Sequence, residues 1–145
     1  MILFTAHYGV RDADRLDVTR AGCDRLIAAG KPAPGEVFAP SASLLRGGLR
    51  ERAATRGDEE AARDAWSRYA DVYRGEMRTS YLRHRAAWTA TLAKPRLVVV
   101  CFCSGEDAAA KRCHRFLLAS YFAALGADYR GELTEADRVA PERPS

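Results

Sequence analysis

The longest uninterrupted run of apolar residues extends from Leu97 to Cys103, directly after Arg96. Apolar runs of this length, rich in β-branched residues, are typical of strands that are covered on both faces of a parallel sheet. Ligands of open α/β folds bind at the carboxyl edge of such a sheet. The pattern therefore predicts an α/β protein whose candidate site follows Cys103.

Shorter patterns predict the other elements. Met1–Tyr8 and Glu36–Pro40 have the apolar stretches of two more strands, while Arg11–Asp17 is a charged loop. A helix is expected to follow Ser41, and Asp128–Leu133 is expected to form a last edge strand. The other predicted helices run from Thr19 to Ala29, from Asp58 towards Gly75, from Thr79 to Ala93 and from Cys113 to Gly126.

Together these elements indicate a three-layer, Rossmann-like α/β fold with a mostly parallel sheet. The 145 residues, of which 48% are hydrophobic, suffice for one packed core, so we expect a single domain over residues 1–133. Residues 134–145 are charged and contain proline, which predicts a disordered tail. The predicted pocket is lined by the ends of the strands Met1–Tyr8, Glu36–Pro40 and Arg96–Cys103.

Charge and targeting signals narrow the function only slightly. A formal net charge of +4 favours anionic ligands weakly, and most of the basic residues are arginines, which suit phosphate and carboxylate. No segment has the roughly 20 apolar residues of a membrane span, and the N-terminus lacks the features of a signal peptide. We therefore expect a cytoplasmic protein without a membrane partner, in which cysteines are buried thiols or site residues.

Chemically distinctive residues cluster around the predicted central strand. Cys101 and Cys103 end the strand, and Cys113, His114 and Arg115 open the helix about ten residues later. The free N–H groups of the helix start, together with Arg115, favour an anion such as phosphate, to which His114 adds a hydrogen-bond donor. Of the specific interpretations, anion or nucleotide binding has the best support.

Three other interpretations of this segment stay open. Cys103 or Cys113 could be a nucleophile in positive potential, although Cys113 and His114 point about 100° apart if both are helical. Cys101, Cys103, Cys113 and His114 supply four zinc-type ligands, but their spacing lacks the usual paired cysteines, and no metal or cofactor is predicted. Finally, Cys101 and Cys113 could simply pack in the core.

Further candidate ligand-binding residues lie elsewhere in the chain. His7 and Tyr8 end the first predicted strand, where the site is expected. Ser41 could contact an anion or only cap its helix. Tyr73 and Arg78 belong to a segment that mixes aromatic residues with arginines, the combination that stacks and neutralises a nucleotide, although aromatics at helical spacing are more often core residues.

The segment Val99–Cys103 followed by Cys113-His114-Arg115 resembles the bacterial family known as domain of unknown function 488. The family's upstream Tyr-Ala segment is matched by Tyr69–Tyr73 through Met77-Arg78. Its early Asp-Val-Arg-x-x-Pro-x-Ser segment is matched only in part, by Phe38-Ala39-Pro40-Ser41, without the Asp or the Arg. Cys103 stands where the family usually has glutamate, and the N-terminus resembles a divergent branch of the kind that phage genomes carry. The resemblance implies a Rossmann-like α/β domain of unsettled activity.

The resulting functional hypothesis is a protein that binds, and turns over if it is an enzyme, a small phosphorylated, nucleotide-like ligand. Arg115 and Ser41 are expected on the anion, His7 and His114 as donors or acid/base groups, and Cys103 and Cys113 beside the ligand. The alternative is a non-catalytic module that binds nucleic acid or sequesters a ligand. The arginines between Arg74 and Arg85 are the observation that supports it. The sequence leaves the oligomeric state open.

Overall fold

A computed structural model describes residues 1–103, 107 and 109–134 of the chain. Its contacts group into two compact units, one formed by residues 1–17 with the chain from Leu92 onward and the other by Val18–Thr91. The expectation of a single domain over residues 1–133 stays a prediction. The predicted disordered tail lies outside the described residues from position 135 onward. In the part of the chain that is described, no helix is long and apolar enough to cross a lipid bilayer.

The first unit contains the sheet. Within the described residues, four strands pair in the order β2-β3-β1-β4, and every pair is parallel. This confirms the predicted α/β fold with a parallel sheet, and it places the last predicted strand at an edge. The strands are β1 (Ile2–His7), β2 (Arg15–Asp17), β3 (Arg96–Cys101) and β4 (Asp128–Leu133).

Strand β3 lies in the interior of the sheet because it pairs with both β1 and β2. Residues 97–101 are all buried, which explains why this strand has an uninterrupted apolar sequence. The strand ends at Cys101, two residues before the predicted end at Cys103. The residues that follow are therefore the loop at the carboxyl edge of the sheet.

The chain segments after β1 and β3 lie on opposite faces of the sheet. After β1, Val10 packs on Ala6, Val98 and Val100. After β3, the chain forms helix α5 (His114–Ala124), which packs on the face that carries Cys101. Neighbouring strands whose connections leave on opposite faces make a topological switch point, the usual place for a ligand in open α/β sheets.

Strand β2 corrects the prediction that Arg11–Asp17 is only a loop. Its three residues pair with Val98–Val100 of β3. Leu16 is its only apolar residue and is buried, so the sequence lacks the alternation that identifies a strand. The partner strand, rather than local preference, determines the extended conformation here.

The second unit is helical, with α1 (Arg20–Ala28), α2 (Ala42–Ala54), α3 (Glu59–Arg83) and α4 (Arg85–Leu92). The predicted caps are confirmed: the side chains of Thr19, Ser41 and Asp58 accept the backbone N–H three residues later. The predicted division of α3 near Gly75 is wrong, because the helix continues to Arg83. Burial of Tyr73 and Met77 on either side of Gly75 offsets the roughly 1 kcal/mol that an interior glycine costs.

The predicted strand Glu36–Pro40 is wrong. Glu36–Phe38 forms a 3₁₀ turn in the second unit, so it is not a strand of the sheet. Its backbone carbonyls are satisfied by side chains of α3, because Tyr73 donates its hydroxyl to Phe38 and Ser80 donates its hydroxyl to Val37. Two side-chain donors thus replace the neighbouring strand that an extended segment would need.

Candidate functional site

Three cysteines meet between the end of β3 and the start of α5. The sulfur atoms of Cys101, Cys103 and Cys113 all lie within 4.8 Å of one another. Cys101 and Cys113 are buried and paired as a disulfide, with their Cα atoms 7.7 Å apart. Cys103 is outside this pair and partly exposed, whereas Cys23 is buried in the second unit.

The backbone conformation of Cys113 determines how its side chain is oriented relative to that of His114. Cys113 is the N-cap of α5 and has extended dihedral angles, φ −146° and ψ 148°, so only His114 is helical. The argument that the two side chains diverge on a helix therefore does not apply. His114 is buried, and its Nδ1 lies 3.9 Å from the Cys113 sulfur. The structure thus brings a disulfide sulfur and an imidazole together at the N-terminus of a helix.

Arg115 is buried, with 1% of its side chain exposed. Its Nε donates to both carboxylate oxygens of Glu132, at 3.1 and 3.3 Å. Its Nη1 donates to the backbone oxygen of Cys103 at 2.9 Å and to the sulfur of Cys101 at 3.2 Å. The hypothesis that Arg115 binds a ligand anion stays a prediction, and the carboxylate that it contacts in the structure is Glu132.

Glu132 belongs to a chain of hydrogen bonds. The Thr5 hydroxyl donates to Glu132 at 3.1 Å and lies 2.8 Å from the Tyr129 hydroxyl. Because Thr5 uses its only proton towards Glu132, Tyr129 is the donor in the second bond. Burial is the main reason that the pKa of Tyr129 is raised, and the nearby charge of Glu132 raises it further. Tyr129 therefore stays protonated and keeps donating through the neutral pH range.

An irregularity of β4 positions Glu132. The register against β1 shifts, so that Leu3 pairs with Tyr129 but Thr5 pairs with Glu132. Gly131 within this bulge has φ +109°, a conformation that residues other than glycine rarely adopt. The extra residue turns the side chains of Tyr129 and Glu132 towards the same face, where both reach Thr5. Sequence reasoning missed Glu132, and the available signal was a single glycine inside a predicted strand.

His7 and Tyr8 lie at the same carboxyl edge as the thiols. His7 pairs with Cys101 across β1 and β3, and the backbone N–H of Tyr8 donates to the Cys101 oxygen at 2.8 Å. The exposed His7 ring accepts the N–H of Gly9 on Nδ1 at 3.1 Å, so a neutral His7 carries its proton on Nε2. The Tyr8 ring packs at 4.3 Å against Phe102.

The remaining candidate residues, Ser41, Tyr73 and Arg78, lie in the second unit. Ser41 caps α2, its backbone N–H donates to Glu76 at 2.8 Å, and its hydroxyl donates to the same carboxylate. Tyr73 is 1% exposed and donates to the Phe38 oxygen at 2.7 Å, which makes it a core residue of this unit. Arg78 is exposed on α3. Their proposed ligand contacts stay predictions.

The buried hydroxyl of Tyr73 gives a prediction about pH. Burial raises the pKa of Tyr73 well above its usual value near 10, so the folded state disfavours the phenolate. The unfolded chain loses this proton more easily, so the free energy of unfolding decreases as the pH rises above about 10. We expect Tyr73→Phe to reduce the slope of the free energy of unfolding against pH above about pH 10. Urea titrations of both proteins between neutral and alkaline pH measure the slope, and equal slopes would contradict the assignment.

Fold and site define an α/β protein whose parallel sheet has a Cys-His-Arg triplet at the helix that follows its central strand. Residues 33–126 match the family model described as the active DUF488-N3 subclade, DUF488-N3a. The chain therefore belongs to this family, as its resemblance to domain of unknown function 488 predicted. The matched segment includes all three clustered cysteines. No curated protein and no solved structure significantly matches the chain.

Proposed function

We propose that the protein binds a small phosphorylated, nucleotide-like ligand at the carboxyl edge of its sheet and that the thiols there act on it. One observation carries the proposal: His7, Tyr8, Cys103 and the start of α5 converge at the switch point between β1 and β3. The carboxyl edges of parallel sheets, with helix N–H groups and a few polar side chains, suit phosphorylated ligands. The matched subclade is described as active, which agrees with turnover.

Aromatic and basic side chains on this edge support a nucleotide rather than a bare phosphate. Phe102 is 47% exposed and packs at a tilt of 31° against Tyr8, so the two rings offer an apolar surface to a base. The Arg15 guanidinium lies 4.6 Å from the centre of the Tyr8 ring. Since Arg115 already contacts Glu132, we assign the first contacts with the phosphate to His7 and the N-terminus of α5.

Turnover is assigned to the cysteines. Cys103 is the partly exposed member of the cluster and carries a free thiol, whereas Cys113 is bonded to Cys101 and becomes available, with the imidazole of His114 beside it, once that disulfide is reduced. A thiolate near a helix N-terminus and a cationic side chain is the nucleophile that such a site can provide. Cys103→Ser is expected to keep ligand binding and lose product formation, because serine keeps the shape but is a far weaker nucleophile.

The nucleic-acid alternative has less support. Arg74 lies 3.4 Å from Asp71, and Arg68 lies 3.4 Å from Glu51, so exposed carboxylates accompany arginines of α3. Mixed charges of this kind are typical of a solvated helix surface. Binding of single-stranded or duplex nucleic acid that falls steeply with salt would favour the alternative.

A binding experiment with a histidine variant tests the proposal. Native mass spectrometry of the full chain with adenosine and guanosine monophosphates, and with inorganic phosphate, is expected to show a one-to-one nucleotide complex. We expect His7→Ala to weaken this complex about tenfold or more, because a hydrogen bond to a charged group contributes about 1.5–3 kcal/mol. His84→Ala is the matched control, since His84 is also exposed but lies in the second unit. No complex, or equal losses in both variants, would refute the proposal.

A further inference from the structure

We propose that Cys101, Cys103 and Cys113, when reduced, form a binding site for one thiophilic metal ion, with zinc(II) as the expected occupant. Thiolates bind zinc at about 2.3 Å in tetrahedral geometry, which separates the sulfur atoms of two ligands by roughly 3.8 Å. The three sulfurs already lie within 4.8 Å of one another, although the residues come from a strand end, a loop and a helix cap. Reduction of the Cys101–Cys113 disulfide frees two of these sulfurs next to the third.

The backbone spacing supports metal ligation. The Cα atoms of Cys101 and Cys113 are 7.7 Å apart, beyond the roughly 4.4–6.8 Å that disulfides usually span. Two thiolates that share an ion do not need to bond to each other, so this spacing suits ligands on opposite sides of a metal. Both residues are buried, and their positions are defined by β3 and by the N-cap of α5. The unbound site is therefore largely formed by the fold.

The surrounding charges favour thiolates. The Nη1 of Arg115 donates to the Cys101 sulfur at 3.2 Å, and the same nitrogen donates to the Cys103 backbone oxygen. Three thiolates and a divalent ion leave one negative charge beside this guanidinium. Glu132 holds Arg115 through Nε, so that Nη1 faces the sulfurs. Groups that orient metal ligands in this manner typically contribute tenfold to a hundredfold in metal affinity.

Three protein ligands leave the fourth zinc position open, which is the arrangement of catalytic rather than structural zinc sites. Cys103 is partly exposed, so this position is reached from the carboxyl edge of the sheet. With an ion bound, Cys103 and Cys113 act as ligands and not as nucleophiles. The metal site goes beyond the proposed nucleotide binding and does not depend on it, because no cysteine side chain is assigned to the phosphate; nucleophilic turnover by the cysteines belongs to the metal-free protein.

Metal analysis of the full-length, reduced protein tests the site in the absence of any nucleotide. After purification with a reductant and without chelators, elemental analysis is expected to find one zinc per chain. Replacement by cobalt(II) should give sulfur-to-cobalt charge-transfer absorption and the visible bands of a tetrahedral ion. A reduced protein that binds neither ion, or a cobalt spectrum without the sulfur band, would overturn the proposal.

Cysteine variants make the test specific. Cys103→Ser removes a ligand that is partly exposed, so the variant is expected to fold, as checked by circular dichroism, and to bind zinc at least about tenfold more weakly in competition with a chromophoric chelator. Cys23→Ser removes a cysteine outside the cluster and is expected to keep full zinc affinity. Equal affinities in the two variants would show an adventitious ion and refute the site. Nucleotide binding, measured separately through His7→Ala, stands or falls independently.

Discussion

Trp88→Ala is expected to lower the free energy of unfolding by about 3–5 kcal/mol, the range for replacing a buried tryptophan by alanine. Trp88 of α4 is fully buried, and its ring packs edge-on against Phe38 at 4.8 Å and Tyr81 at 5.5 Å. The substitution removes these contacts and leaves a cavity that the helices can fill only partly. Urea denaturation followed by circular dichroism measures the loss.

A hydrogen-bond relay adds to the expected loss. The Trp88 Nε1 donates to the Ser80 hydroxyl at 3.0 Å, and that hydroxyl donates to the Val37 oxygen, so one relay links α4, α3 and the 3₁₀ turn. Trp66→Ala is the matched control, because Trp66 is partly exposed and stacks mainly on Tyr69. A loss for Trp88→Ala no larger than that for Trp66→Ala would contradict this account of the second unit.

The elements that could be predicted from the sequence are those whose environment determines their composition. A strand covered on both faces needs apolar residues at every position, so β3 was evident from the run after Arg96. The helix starts at Ser41 and Asp58 followed from side chains that accept backbone N–H groups.

The elements that were missed depend on partners distant in the chain. Strand β2 is extended because β3 pairs with it. Leu16 is its single apolar residue, so the segment shows no alternation of apolar and polar positions. The 3₁₀ turn at Glu36–Phe38 has the composition of a strand, but donors from α3 satisfy its carbonyls. In both places the residues forming the element are compatible with several conformations, and contacts more than 20 residues away select one.

Some features of the candidate site could likewise be predicted from the sequence, and others could not. The grouping of Cys101, Cys103 and Cys113 could be predicted, because a strand end and the next helix start meet at one edge of the sheet. The orientation of Cys113 relative to His114 could not, since it depends on the extended N-cap. The sequence also predicted an anion for Arg115 without indicating that Glu132, 17 residues later, supplies a carboxylate.

Glu132→Ala is expected to lower the free energy of unfolding by about 3 kcal/mol, because it leaves the buried guanidinium of Arg115 without its carboxylate. The remaining hydrogen-bond acceptors of Arg115 are a backbone oxygen and a sulfur, and its guanidinium lies 4.5 Å from the centre of the Phe116 ring, so no second carboxylate among these contacts takes the place of Glu132. Asp128→Ala is the matched control: Asp128 lies on the same edge strand and pairs with Arg130 at 3.0 Å, but both side chains are exposed. Exposed pairs contribute at most about 1 kcal/mol, so the control loss should be small.

A double variant separates the cost of an unpaired charge from the contribution of the pair. Replacing both residues, Arg115→Met with Glu132→Leu, removes the buried charge together with its partner, and apolar replacements of buried ion pairs are often close to neutral. We therefore expect the double variant to be more stable than Glu132→Ala, as measured by urea denaturation at neutral pH. If the double variant is instead less stable than both the wild-type protein and Glu132→Ala, the ion pair itself stabilises this edge. In that case Arg115 and Glu132 hold β4 and α5 together, and support of the thiols by Arg115 is secondary.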